Sequence, residues 1–158
     1  GIKFTMKTGG TVIYKNQEAE KMVKQDYIMD RLFLITDSLP SIGWELADET
    51  KEILGYVCRK AVSEKNIVAW YATDLPVNAG PSVFHGLPGL ILSIENKSLI
   101  IEAQSIEVVA DLTEKIREPS EGKKISQEAF DKLKMKKMEE LGGSSKEGEG
   151  VQIKVIQM

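Results

Sequence analysis

The chain is poor in the residues that do chemistry in pairs. Among its 158 residues stand one cysteine, Cys58, and one histidine, His85. A lone cysteine excludes an internal disulfide and leaves a zinc site without its usual ligand set, and it fits either redox compartment. Charge of one sign is scarce too. The net charge is −3, and no basic patch is interleaved with aromatics, so nucleic acid is not an expected partner. Long apolar runs are absent: residues 87–94, the best of them, are interrupted by Pro88 and fall far short of the ~20 residues that span a bilayer. A glycine-rich phosphate loop, an HExxH zinc signature and a serine-centred nucleophile elbow are all missing, and no cofactor is expected. The chain opens Gly1-Ile2-Lys3, without an initiator Met or a secretion signal, which implies that an upstream piece has been removed.

What is present is ordinary globular material. Hydrophobic residues make up 42% and charged residues 28%. Residues 1–158 are read as a single domain with enough chain for a sizeable core, and as a piece of a longer protein. The first two-thirds carry β patterns. Residues 2–6 and 11–14 flank Gly9-Gly10, a natural hairpin connection. Residues 16–24 are polar and read as a loop or widened turn. Strands are then expected at 26–36, from 44 to 46, at 53–63, 66–73, 87–94 and 98–112. About eight strands at short intervals, without helices between most of them, argue for an antiparallel sheet curved into a barrel or half-barrel, and against a parallel βαβ sheet.

The pattern changes after Pro119. Ser126 is placed to cap a helix, with Glu128 and Asp131 in its first turns. Phe130, Leu133, Met138 and Leu141 form its apolar stripe, and Gly142-Gly143 stops it. Residues 142–150 read as a flexible charged linker. Residues 151–158 alternate as a terminal strand that closes a sheet edge. The expected fold is therefore α+β, dominated by one curved, mainly antiparallel sheet, with the late helix packing Phe130, Leu133 and Met138 on its concave face.

The densest local signal lies in residues 69–95. Pro76, Pro81 and Pro88 alternate there with Gly80, Gly86 and Gly89 around a single connection. Proline fixes φ and glycine opens φ > 0, so the stretch specifies one backbone path. Four blocks, Ile53-Leu54-Gly55-Tyr56-Val57-Cys58-Arg59-Lys60-Ala61, Ala69-Trp70-Tyr71, Gly80-Pro81 and Gly86-Leu87-Pro88-Gly89-Leu90-Ile91-Leu92, resemble the GLPGLI family, found mostly in Bacteroidetes. Trp44 and the helix at 130–141 extend that resemblance over residues 28–158. It implies an exported protein of unknown function, periplasmic or envelope-associated, with a more distant likeness to the periplasmic lipoprotein-carrier fold.

Each candidate residue has a functional and a structural reading. His85 could act as general base or metal ligand, against a loop histidine bonded to backbone. Cys58 could be a reactive thiol, against a buried core cysteine. Trp44, Trp70 and Tyr71 could line an apolar pocket, against core packing. Asp74 could be a catalytic carboxylate, against an Asx-type turn. Gly86, Pro88 and Gly89 could approach a ligand, against setting a turn. Lys132, Lys134, Lys136 and Lys137 could touch anionic lipid, against a solvated helix face balanced by Glu128, Asp131, Glu139 and Glu140. The structural reading is favoured in each case, with Gly55, Tyr56, Gly80 and Pro81 added to the structural set.

The function expected from these readings is non-catalytic binding of a lipid or other hydrophobic ligand by an envelope protein, with Trp70, Tyr71, Phe84, Leu87 and Leu90 around the mouth of the Pro/Gly loop. The alternative is an interaction module that docks an outer-membrane partner through an edge strand or the loop. A thiol or metal enzyme would need Cys58 and His85 within a few ångström of each other.

Overall fold

The structure, a computed structural model, describes residues 2–8, 10–108, 116–142 and 152–157. The chain forms two compact units, each with its own sheet. One continuous curved sheet was the expectation. The alternation of apolar and polar residues reports strands, but does not report which strands pair across a long separation.

The first unit comprises chiefly residues 3–39 and 113–156. Its strands are β1 (Ile2–Thr8), β2 (Thr11–Asn16), β3 (Lys21–Ile28) and β4 (Arg31–Ser38), which pair as an antiparallel meander. Two late strands, β10 (Lys123–Lys124) and β11 (Gln152–Gln157), complete the sheet in the order β10-β4-β3-β2-β1-β11. The terminal strand thus occupies an edge, as its alternation suggests. β10 runs parallel to β4. The polar stretch expected as a loop at 16–24 is a tight turn followed by β3. Glu20 N–H donates to Gln17 O (3.2 Å), and Asn16 Oδ1 accepts from Ala19 N–H (3.1 Å). The strand expected at 26–36 is in fact a hairpin. Ile28 pairs with Arg31, and Met29 takes φ +58 in the two-residue link. That link usually advertises itself with Asn-Gly or Asp-Gly, and Met29-Asp30 does not.

The helix α1 (Gln127–Glu140) begins where its cap predicts, with Ser126 Oγ accepting from Ala129 N–H at 3.1 Å. Phe130 is fully buried against Ile28, Phe33 and Ile35, edge-on to Phe33 at 5.7 Å, and Leu133 packs beside it. Burying one such ring contributes roughly 2–3 kcal/mol. The ammonium groups of Lys24 and Lys134 lie 5.1 and 5.8 Å from the Phe130 ring centre. Both also reach Asp26, at 3.2 and 3.9 Å, and Thr11 donates to the same carboxylate at 2.8 Å. Asp26 thereby balances part of the positive charge that flanks the buried ring. Met138 and Leu141 do not join the stripe. They are 42% and 64% exposed, because only the first half of the helix lies over buried sheet residues.

The second unit comprises chiefly residues 40–112. Its sheet is β5 (Trp44–Ile53), β6 (Tyr56–Ser63), β7 (Val68–Ala72), β8 (Leu90–Glu95) and β9 (Ile100–Glu102), antiparallel throughout and in chain order. The strand expected from residue 44 runs on to Ile53, with its register interrupted between Leu46 and Thr50. The one expected at 53–63 is broken by a turn at Leu54-Gly55, both at positive φ. Of residues 98–112, strand structure among the described residues is confined to β9; 109–112 lie outside them, as does the expected linker apart from Gly142. No helix among the described residues is long and apolar enough to cross a membrane.

Candidate functional site

The connection from β7 to β8, residues 73–89, is held by a series of backbone hydrogen bonds. Its proline–glycine alternation becomes a path locked by backbone bonds. Leu90 N–H donates to Leu75 O and Ile91 N–H to Ala79 O, both at 2.9 Å, so the loop pairs back on its own exit strand. Gly89 passes so close to β7 that a Cβ would sit 2.2 Å from the Ala72 carbonyl oxygen. No other residue fits there without moving backbone. The loop tip is tied to the start of β5. Trp44 Nε1–H donates to His85 O (2.8 Å), His85 Nε2 meets Pro40 O (2.6 Å), and Asn78 Oδ1 accepts from Gly86 N–H (2.6 Å). Gly86, at φ +97, lies against the Trp44 indole, and the Phe84 ring stands 6.4 Å from that indole. His85 is therefore bonded to backbone, and Pro81 is buried while Pro88 is exposed.

Beneath the loop the sheet has an apolar cluster on each face. One contains Ala61, Ala69, Tyr71, Leu87, Ile91 and Ile94, with Trp44 and Phe84 packed on it. The other contains Ile53, Cys58, Trp70, Ala72 and Leu92, with Tyr56 and Leu90 packed on it. The five residues expected at one mouth are thus divided: Tyr71, Phe84 and Leu87 go to the first cluster, Trp70 and Leu90 to the second. Trp70 and Tyr71 are consecutive on a strand, and consecutive side chains point to opposite faces. Tyr71 and Leu87 are 1% and 2% exposed, which makes them core residues.

The second face holds groups that sequence reading passed over. Lys51 Nζ lies 4.7 Å from the Trp70 ring centre and pairs with Glu95 at 2.8 Å. Trp70 Nε1 and Ser93 Oγ are both buried without a hydrogen-bond partner, and the two residues are cross-strand neighbours. The preference of buried indole N–H and hydroxyl groups for a partner marks this pair as a place where polar packing is incomplete.

Cys58 is fully buried, and burial raises its thiol pKa, partly opposed by a backbone hydrogen bond and the nearby Lys51 charge. Its sulfur points to Tyr56 O at 3.6 Å, on the face opposite the cluster that holds Phe84. It makes no pair with His85. Asp74 is exposed. Among the described residues, no three of His, Cys, Asp and Glu converge as a metal site. In the first unit, Lys15 on β2 is 2% exposed, and desolvation lowers its pKa to about 7. A lysine between Tyr14 and Asn16 carries no local sign of burial.

Comparison with known proteins places this geometry. A family model described as "N-glycanase peptide, N-terminal domain" matches residues 6–137. Two solved structures of PNGF-II, in space groups C2 and P21, share the fold with TM-scores of 0.57 and identities of 20% and 18%. The match covers 86% of this chain in both cases, but 32% and 33% of those chains, so the chain spans about a third of the length of the structures it resembles. No curated protein matches. These findings overturn the GLPGLI assignment. They likewise overturn the reading as a non-enzymatic protein that binds lipid, and they lend no support to the alternative of a module docking an outer-membrane partner. Leu87-Pro88-Gly89, in one of the four blocks that carried the resemblance, is the segment that leads the loop into β8. Gly89 is demanded by the Ala72 carbonyl, whatever the family.

Proposed function

This chain belongs to the family of N-glycanase N-terminal domains, and from that premise we propose that it is a domain of an enzyme that removes N-linked glycans from glycoproteins. The single observation that carries the reading is the family match over residues 6–137, which takes in strands of both sheets and most of α1. The fold shared with PNGF-II supports it. We assign the chemistry to the enzyme as a whole and to this chain a share in engaging the glycoprotein. A substrate of that class offers hydroxyl-rich sugar and extended peptide, and polar side chains with aromatic planes recognise it better than an apolar cavity does. Binding is tested by titrating this chain with a ribonuclease that carries an N-linked glycan and, separately, with its sugar-free counterpart. Saturable binding of the glycosylated form alone is the expected result. Equal binding of both forms, or of neither, would remove substrate engagement from this chain.

A further inference from the structure

Two polar atoms of the second unit are buried without a protein partner, and they stand on adjoining strands. Trp70 is 8% exposed and Ser93 0%, and neither the indole Nε1–H nor the hydroxyl Oγ is hydrogen-bonded within the chain. The two residues are directly opposite each other on β7 and β8, so their side chains share a face. The register slips just beyond them, between Trp70 and Tyr71, and leaves Leu92 unmatched. Bulges of this kind re-aim side chains beside sites. Both atoms can donate, so a single ligand oxygen is able to accept from the pair. The surroundings restrict what that oxygen belongs to. Lys60 is the cross-strand partner of Trp70, and Glu102 that of Ser93. Lys60 pairs with Glu49 at 2.9 Å, and Lys51, over the indole, pairs with Glu95 at 2.8 Å. The carboxylates of Glu49, Glu95 and Glu102 outnumber the ammonium groups of Lys51 and Lys60, which disfavours an anion. An apolar ligand would leave the buried donors unmet. A neutral, hydroxyl-bearing ligand satisfies both conditions. Its hydroxyls accept from N–H and O–H groups and bridge carboxylate to ammonium, while its C–H face lies on an aromatic plane.

We propose that Trp70 and Ser93, with Lys51 as a movable cover, form a sugar subsite; the inference rests on the reading that this chain engages the glycan of a glycoprotein. The cover is a side chain and not backbone. Lys51 Nζ lies 4.7 Å from the Trp70 ring centre, and the side chains of Lys51 and Glu95 are 34% and 33% exposed. A partly exposed ion pair is a weak latch. When the sugar binds, Lys51 swings off the indole and the sugar ring takes its place on that plane. A sugar oxygen then accepts from Trp70 Nε1–H and Ser93 Oγ–H, which meets both buried donors at once.

The indole N–H signals in the nuclear magnetic resonance spectrum of the isotope-labelled chain read the contact at the atom concerned. The probe is the free oligosaccharide prepared from the N-glycosylated ribonuclease. The Trp70 signal should shift saturably. That of Trp44, already bonded to His85 O at 2.8 Å, should stay in place as the internal reference. Ser93→Ala should weaken binding about tenfold, the worth of one hydrogen bond. It should leave the urea midpoint unchanged, because the hydroxyl it removes has no partner within the chain. Oligosaccharide that binds by calorimetry while the Trp70 signal stays fixed would overturn this subsite and leave glycan engagement by the chain standing. No binding by calorimetry would remove both. A Trp70 signal that moves with sulfate and not with the oligosaccharide would overturn the sugar as ligand, and a lowered midpoint in Ser93→Ala would show the hydroxyl to be bonded within the protein, against the proposal.

Discussion

Lys15 offers the sharpest quantitative test of the first unit. The side chain is 2% exposed, and its pKa falls from 10.5 to about 7 because burial penalises the ammonium form. The folded state therefore binds that proton less tightly than the unfolded chain does. Below about pH 7 both states are protonated and folding carries the full penalty, roughly 5 kcal/mol given that a tenfold change in proton affinity is worth about 1.4 kcal/mol. Between pH 7 and 10.5 the folded lysine is neutral while the unfolded one is still charged, so the penalty shrinks as pH rises. Above 10.5 it is gone. Stability should thus climb with pH across this window, by up to about 1.4 kcal/mol per pH unit. Lys15→Met keeps the length of the side chain and removes the charge. It should raise stability at about pH 6 by about 3–5 kcal/mol, less whatever polar contact the lysine makes, and change little at about pH 10. Urea unfolding should be followed by circular dichroism, because both tryptophans, Trp44 and Trp70, report on the other unit. The decisive quantity is the difference between the two proteins as a function of pH. A difference that stays flat from about pH 6 to about pH 10 would refute the burial of this ammonium.

Gly89→Ala should destabilise the second unit by about 3 kcal/mol or more, since its Cβ would meet the Ala72 carbonyl at 2.2 Å and backbone must yield; a thermal midpoint unchanged from the parent would contradict the close approach of loop to strand. Phe130→Ala should cost about 3–5 kcal/mol by emptying the contact of α1 with Phe33 and Ile35, read as lost helical ellipticity and a lower urea midpoint. Cys58, buried and with its thiol pKa raised, should resist a maleimide in the native protein near neutral pH and react at once in denaturant; rapid native labelling would place the sulfur at the surface.

The parts of the fold legible in the sequence are those written by local chemistry. Ser126 caps the helix as its hydroxyl predicts, and Phe130 is its buried anchor. The Pro/Gly stretch forms one locked path, with His85 bonded to backbone and Cys58 in the core. The illegible parts depend on distant partners. The Met29-Asp30 hairpin lacks a turn signature, the two lysines of β10 become a strand because β4 lies beside them, and the division into two sheets is a matter of pairing. At the candidate site, strand alternation alone could have separated Trp70 from Tyr71. The Lys51–Glu95 pair over Trp70 joins residues far apart in the chain and had no local sign.

Glycan release tests most directly whether the chain is a working domain of an N-glycanase. The complete polypeptide, and the same polypeptide lacking the residues of this chain, are incubated with the N-glycosylated ribonuclease, and the protein mass is followed. The glycan mass should be lost with the complete polypeptide, and lost more slowly when this chain is missing. An intact glycan after prolonged incubation with the complete polypeptide would contradict the assignment.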